Sequence, residues 1–242
     1  MAERNDRAVT TVAAFDVDGT LTRRDCVVPF MRRGTGARRI VPKLLARPDR
    51  LVPVGLRRDR DALKALAARA SFAGRHHDEL RRSGDEFAAE VHRHWLRDDT
   101  VGRLRDHLAA GDRVVLVSAS FELYLHRFGE LLGAHGVLGT RLATADGICT
   151  GALDGPNCRG PEKVVRLHRW LDEEVGGRDR VRVVAYGDSS GDDDMLADAD
   201  EGHRVEPFVQ PESRERSTGE TTSEETTSGE NAPRENSPGE SW

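Results

Sequence analysis

Three short apolar runs, each ending abruptly in a polar cluster, set the pattern of this chain. Residues 9–15 (VTTVAAF), 113–117 (RVVLV) and 181–186 (VRVVAY) are apolar almost throughout rather than alternating. A run without alternation is buried on both faces, the pattern of a strand in a parallel sheet. Amphipathic stretches lie between them. Residues 98–110 end at Gly111, and residues 161–174 open on Pro161 and close before Gly176-Gly177. Pro fits the first turn of a helix and Gly stops one. The spacing therefore predicts an α/β fold with a doubly wound parallel sheet.

One interval breaks the alternation. Residues 26–96 hold no convincing strand. Helical segments are expected near 37–46, 60–70 and 76–95, separated by Pro42, Pro48, Pro53 and Gly74. This stretch reads as a helical cap inserted after the first strand, over the sheet's carboxyl edge. The expected division is a core of residues 9–25 and 97–209, a cap of 26–96 and a tail of 210–242.

Composition refines this in two places. The net charge is -5, and residues 211–242 alone carry eight Glu and three Arg, so the rest is neutral overall. That tail is Glu, Ser, Thr, Gly and Pro with almost nothing to bury, the composition of a disordered segment. No run approaches the roughly 18 apolar residues of a membrane helix. The first residues lack an apolar signal core, so a cytoplasmic location is expected. Three cysteines without close pairing argue against a disulfide framework. Basic residues are almost all Arg; the lysines are Lys43, Lys64 and Lys163.

The chemistry gathers where the strands end. In an open α/β sheet, ligands bind outside the carboxyl ends of the strands. Asp16 and Asp18 leave the first run, Ser118 and Ala119 the second, and Asp188 and Asp192 the third. Two carboxylates with one residue between them at a strand end can face one group. Several carboxylates together need a cation, and hard oxygen donors favour Mg²⁺. Lys163 falls in the first turn of a helix, where ammonium and backbone N–H groups together suit an anion. Carboxylates, Mg²⁺, a hydroxyl and a lysine are the parts of a phosphoryl-transfer site. Asp193 and Asp194 read as helix-capping residues, Ser189 and Ser190 as turn residues, and the scattered histidines as solvated positions.

The stretches AAFDVDGTLTRRD, VVLVSAS, GPEKVVRL and VVAYGDSSGDDDML resemble the four ordered motifs of the haloacid dehalogenase superfamily. The nearest likeness is to its subfamily IB, the phosphoserine phosphatase-like hydrolases, over residues 12–206. The resemblance implies a HAD-like Rossmannoid core and a role for each matching residue. Asp16 is the implied nucleophile, forming an aspartyl phosphate, and Asp18 the acid and base. Asp16, the backbone carbonyl of Asp18, and Asp188 are the implied Mg²⁺ ligands. Ser118, the Ala119 N–H and Lys163 are implied to hold phosphate, and Asp192 to orient water or Lys163 from behind. An Asp after the nucleophile's neighbour marks a phosphatase rather than a dehalogenase.

Substrate choice is expected in the cap and at Asp25, which stands where phosphoserine phosphatases commonly carry a Glu. A small phosphorylated metabolite is the expected substrate. Residues 26–60 carry ten basic residues against Asp49 and Asp59, with apolar residues between. Such a segment can lie on an anionic lipid surface, which keeps a lipid-phosphate phosphatase as the alternative. Nucleic acid is not an expected partner, because the chain is acidic overall and has few aromatics. A catalytically weak binding or regulatory protein is the remaining alternative.

Overall fold

The computed structural model describes residues 10–35 and 60–208. The chain opens with β1 (Thr10–Phe15), then the helices α1 (Val27–Thr35), α2 (Arg60–Phe72), α3 (His77–His94) and α4 (Asp98–Ala109). β2 (Arg113–Phe121), α5 (Glu122–Leu132) and β3 (Gly136–Thr140) follow. A hairpin of β4 (Leu142–Ala145) and β5 (Ile148–Leu153) precedes α6 (Pro161–Val175), β6 (Val181–Gly187), α7 (Asp193–Asp198) and β7 (Glu201–Arg204). The main sheet has the order β3-β2-β1-β6-β7, and every neighbouring pair in it is parallel.

Both faces of that sheet are covered, and the strand period of two decides which side chain goes where. Val12 and Ala14 of β1 join Val115, Val117, Val183 and Ala185 in a core packed by Leu167, Trp170 and Leu171 of α6. Ala13 and Phe15 point the other way, with Val114, Leu116, Val184 and Tyr186, against α4 and α5. Phe15 stacks on Tyr186 at 4.4 Å between ring centroids. Burial on both faces is why these runs are continuously apolar. Each fully buried Val or Phe contributes about 1.5–3 kcal/mol.

The helices between β1 and β2 pack above one side of this core. On α3, Leu80, Gly84, Phe87, Ala88 and Val91 are buried at helical spacing. Gly84 is required there, because a Cβ would meet the backbone carbonyl of Leu123 on α5. Phe30 of α1 and Phe87 of α3 close on Tyr124 of α5, at 4.8 and 5.2 Å between centroids. The β4–β5 hairpin joins the linker between α2 and α3 rather than the main sheet. Gly74 N–H donates to the Cys149 carbonyl, and Cys149 N–H to that of Arg75, both at 2.8 Å.

Several boundaries differ from the sequence expectation. β2 runs on through Ser118, Ala119 and Ser120 to Phe121, with its register to β3 irregular between Val117 and Phe121. The backbone stays extended after the apolar run stops, which hydropathy does not register. β3 and the β4–β5 hairpin are strands that the apolar pattern does not mark, because they are only partly buried. β7, at Glu201–Arg204, is a polar edge strand whose partner is β6. The candidate helix at 37–46, most of the basic residues of 26–60 and the tail of 210–242 lie outside the described residues. Among the described residues no helix is long and apolar enough to cross a membrane. Cys26, Cys149 and Cys158 are buried free thiols.

Candidate active site

The site begins where β1 stops. Asp16 N–H still donates to the Tyr186 carbonyl at 2.9 Å, so Asp16 is fixed by the sheet itself. Val17 turns back into the core, and its carbonyl accepts from the N–H groups of Thr20, Leu21 and Thr22. Asp16 and Asp18 thereby leave the strand towards the same cavity. Gly19 has φ +84, and a Cβ there would collide with the Asp188 carboxylate. Only glycine meets both demands without strain. Buried Arg97 braces the turn, donating to the carbonyls of Gly19 at 2.7 Å and Glu206 at 2.9 Å.

Lys163 reaches this point from the first turn of α6. Its Nζ donates to Asp16 Oδ1, Asp192 Oδ1 and the Val117 carbonyl, each at 2.6 Å. An ammonium has three protons, and all three are placed. Burial alone would lower the Lys163 pKa; Asp16 and Asp192 override that and hold it above the ordinary lysine value. The other oxygen of Asp192 accepts from Ser189 N and Oγ, both at 2.9 Å. Thr20 Oγ1 donates to Asp188 Oδ1 at 3.1 Å. Asp16, Asp188 and Asp192 each offer a carboxylate oxygen within 4.8 Å of the others.

The electrostatics of this cluster call for a cation. Burial pushes the Asp16 carboxyl up to about 7, helped by the charges of Asp192 and Asp18 and opposed by Lys163. Burial, with the charge of Asp192, also raises Asp188. One ammonium does not balance three carboxylates, and an all-oxygen donor set of this span fits Mg²⁺.

Asp18 is held differently. Its Oδ1 accepts from Cys26 N–H at 2.8 Å, and its Oδ2 from the Ser120 hydroxyl. Burial and the charge of Asp25 raise its pKa to about 6. Ser118 is buried at the same rim, and its Oγ accepts from Ser120 N–H at 3.1 Å. That leaves the Ser118 hydroxyl proton free to point into the cavity beside the half-buried Ala119.

The cavity has a volume of about 700 Å³ and runs from these residues up between α1 and α2. Asp25, Arg32, Lys64 and Arg159 supply charge along it; Val27, Val28, Met31 and Leu63 supply apolar wall. Asp25 is exposed, and its Oδ1 also accepts from Val28 N–H at 3.0 Å. Lys64 is the site residue that sequence reasoning did not assign. Its Nζ donates to Thr140 Oγ1 at 3.0 Å, to Asn157 Oδ1 at 2.5 Å and to the Ala119 carbonyl. Asn157 in turn donates to Asp61 Oδ1 at 2.6 Å. The scarcity of lysine in this chain pointed to Lys64 as much as to Lys163. Its partners lie 55, 76 and 93 residues further along the chain and could not be read from spacing.

All the expected motif residues meet in this cavity: Asp16, Asp18, Ser118, Ala119, Lys163, Asp188 and Asp192, with Asp25 at its upper wall. Asp193 and Asp194 stand apart, exposed in the first turn of α7, with Asp193 paired to Arg204. Asp192 stands closer to the acidic cluster than an outlying partner of Lys163 need do, since its oxygen shares the span of Asp16 and Asp188.

Comparison with known proteins agrees with this geometry. The haloacid dehalogenase-like hydrolase family matches residues 13–197. Protein CicA of Caulobacter vibrioides is 40% identical over 196 residues, covering 80% of this chain and 86% of that protein. Phosphoserine phosphatase SerB1 of Mycobacterium tuberculosis is 31% identical over 217 residues, covering 87% and 70%. A crystal structure from Bordetella pertussis Tohama I superposes with a TM-score of 0.62 at 26% identity, covering 79% of this chain and 87% of that one. A substrate-bound phosphoserine phosphatase shares the fold, with a TM-score of 0.54 at 18% identity, over 78% and 83%. A parallel sheet that gathers four segments at its carboxyl edge, and a family match across most of its length, make this chain a member of the haloacid dehalogenase-like hydrolases.

Proposed function

We propose that this chain is a Mg²⁺-dependent phosphomonoester hydrolase working through an aspartyl phosphate. The observation that carries the reading is Lys163, which ties Asp16 to Asp192 at the floor of a cavity shared with Asp18, Ser118 and Asp188. Asp16, the Asp18 carbonyl and Asp188 would hold Mg²⁺, with Asp192 in reach of the same place. The ion supplies neutralisation of phosphoryl charge.

The chain's own groups account for the rest. Ser118 and the Ala119 N–H orient the phosphoryl group, and the charge of Lys163 helps neutralise it and the nucleophile. The Asp16 carboxylate attacks phosphorus, and the bond to the substrate's alcohol oxygen breaks. Asp18 gives that oxygen its proton, then takes one from the water that attacks the aspartyl phosphate. Phosphate leaves and Asp16 is restored. A carboxyl poised near neutrality suits a group that must do both.

A small phosphorylated metabolite fits the mixed charges of the upper cavity, where Asp25 would face an ammonium. The likeness to phosphoserine phosphatases supports a phosphoserine-like substrate. A second reading, a lipid phosphate, is favoured by the apolar wall, where Val28 and Leu63 stay 48% and 46% exposed. The division into a core of 9–25 and 97–209 and a cap of 26–96, and a cytoplasmic location, belong to the same reading.

Phosphate release from soluble and lipid phosphomonoesters, with and without Mg²⁺, tests it. Turnover that needs Mg²⁺, and that falls by about 10⁴-fold or more in Asp16→Asn, is expected. Protein quenched during turnover should carry a phosphoryl group by mass spectrometry in the wild type and none in Asp16→Asn. Absence of turnover on every ester would return the chain to the binding-protein alternative.

A further inference from the structure

Ser120 and Tyr124 form a buried hydroxyl chain that ends on Asp18. Tyr124 Oη donates to Ser120 Oγ at 2.5 Å, and Ser120 Oγ donates to Asp18 Oδ2. Ser120 is fully buried and Tyr124 nearly so. Each hydroxyl has one proton, so the chain has one direction in which every group is satisfied: Tyr124 to Ser120 to Asp18. With Cys26 N–H on Oδ1, both oxygens of Asp18 are claimed by fixed donors.

Tyr124 is itself buried in the core. Its ring is enclosed by Phe30 of α1 and Phe87 of α3. Ser120 comes from the irregular end of β2, and its N–H holds Ser118 Oγ. One residue thus fixes a phosphate-side hydroxyl with its backbone and Asp18 with its side chain.

Resting on the reading of Asp18 as the proton donor, we infer that Ser120, backed by Tyr124, is a positioning residue that aims the Asp18 carboxyl at the leaving-group oxygen. A misplaced acid costs most when the leaving group most needs a proton. An alkyl alcohol needs it; p-nitrophenolate does not. The defect is therefore selective for leaving group, whereas a loosened fold slows both esters alike.

The experiment measures kcat and KM for an alkyl phosphate and for p-nitrophenyl phosphate, in the wild type, Asp18→Asn, Ser120→Ala and Tyr124→Phe. Asp18→Asn should lose far more kcat/KM on the alkyl ester, since kcat/KM reports the step in which the leaving group departs, whereas loss of Asp18 as base slows the shared second step for both esters. Ser120→Ala should lose about tenfold more kcat/KM on the alkyl ester than on the nitrophenyl ester. Tyr124→Phe should move the same way by less, and it carries the test alone if Ser120→Ala does not fold. Equal losses on both esters in these two variants, beside a selective loss in Asp18→Asn, overturn the positioning role and leave the acid assignment standing. No selectivity in Asp18→Asn overturns that assignment and this inference with it.

Discussion

Lys163 Nζ stands 2.6 Å from Asp16 Oδ1 across 147 residues of chain, and the contact is buried at the floor of the cavity. The same ammonium serves Asp192 at 2.6 Å. Lys163→Met would leave two buried carboxylates facing each other without a cation. Removing one partner of such a network costs about 3–5 kcal/mol. Urea unfolding should show a loss of that size, partly restored by adding Mg²⁺.

Gly19 tests the shape of the turn independently of charge. Gly19→Ala puts a side chain at φ +84 and into the Asp188 carboxylate. The backbone strain alone is about 1–2 kcal/mol. Because Asp188 must move, Mg²⁺ should also bind more weakly; urea unfolding measures the first effect, and titration of Mg²⁺ against activity the second.

Metal binding should register without turnover. A ligand that binds only the native state at a hundred times its Kd stabilises by about 2.7 kcal/mol. For a chain of this size that raises Tm by roughly 5–10 °C. The shift should appear when Mg²⁺ is added to chelator-treated protein, and it should shrink in Asp188→Asn. An unchanged Tm in the wild type would remove the cation from the site.

Lys64 should give stability a dependence on alkaline pH. Burial lowers its pKa from the ordinary 10.5 to about 8, against the opposing charges of Asp18, Asp61 and Asp25. Between about pH 8 and 10.5 the unfolded chain keeps this proton and the folded chain sheds it. Stability contributed by this position therefore rises with pH across that window, by about 3 kcal/mol at most. The stability of the wild type relative to Lys64→Met should improve from pH 8 to pH 10 and be flat below pH 7.

Much of this was legible before any coordinates. The three apolar runs are strands because both of their faces are buried, so β1 and β6 lie close to where the hydropathy put them. The residues after them converge because parallel strands end along one edge, which brings Asp16, Ser118 and Asp188 to one cavity, and the first turn of α6 adds Lys163 there. What hydropathy missed lacks a period. β3 and the β4–β5 hairpin are only partly buried, and β7 is polar. Lys64 and the Ser120–Tyr124 pair act through contacts between segments far apart in the chain, and no local pattern encodes those.

The position of β1 in the sheet has a consequence for how activity arises during folding. It lies between β2 and β6, and β6 is made some 165 residues after β1. Pairings so distant in sequence are slow to form. A chain that has ordered β1 and β2 already displays Asp16, Asp18 and Ser118, yet lacks Asp188 and Asp192. On the proposed roles of these residues, turnover after dilution from denaturant should return only once β6 has paired with β1.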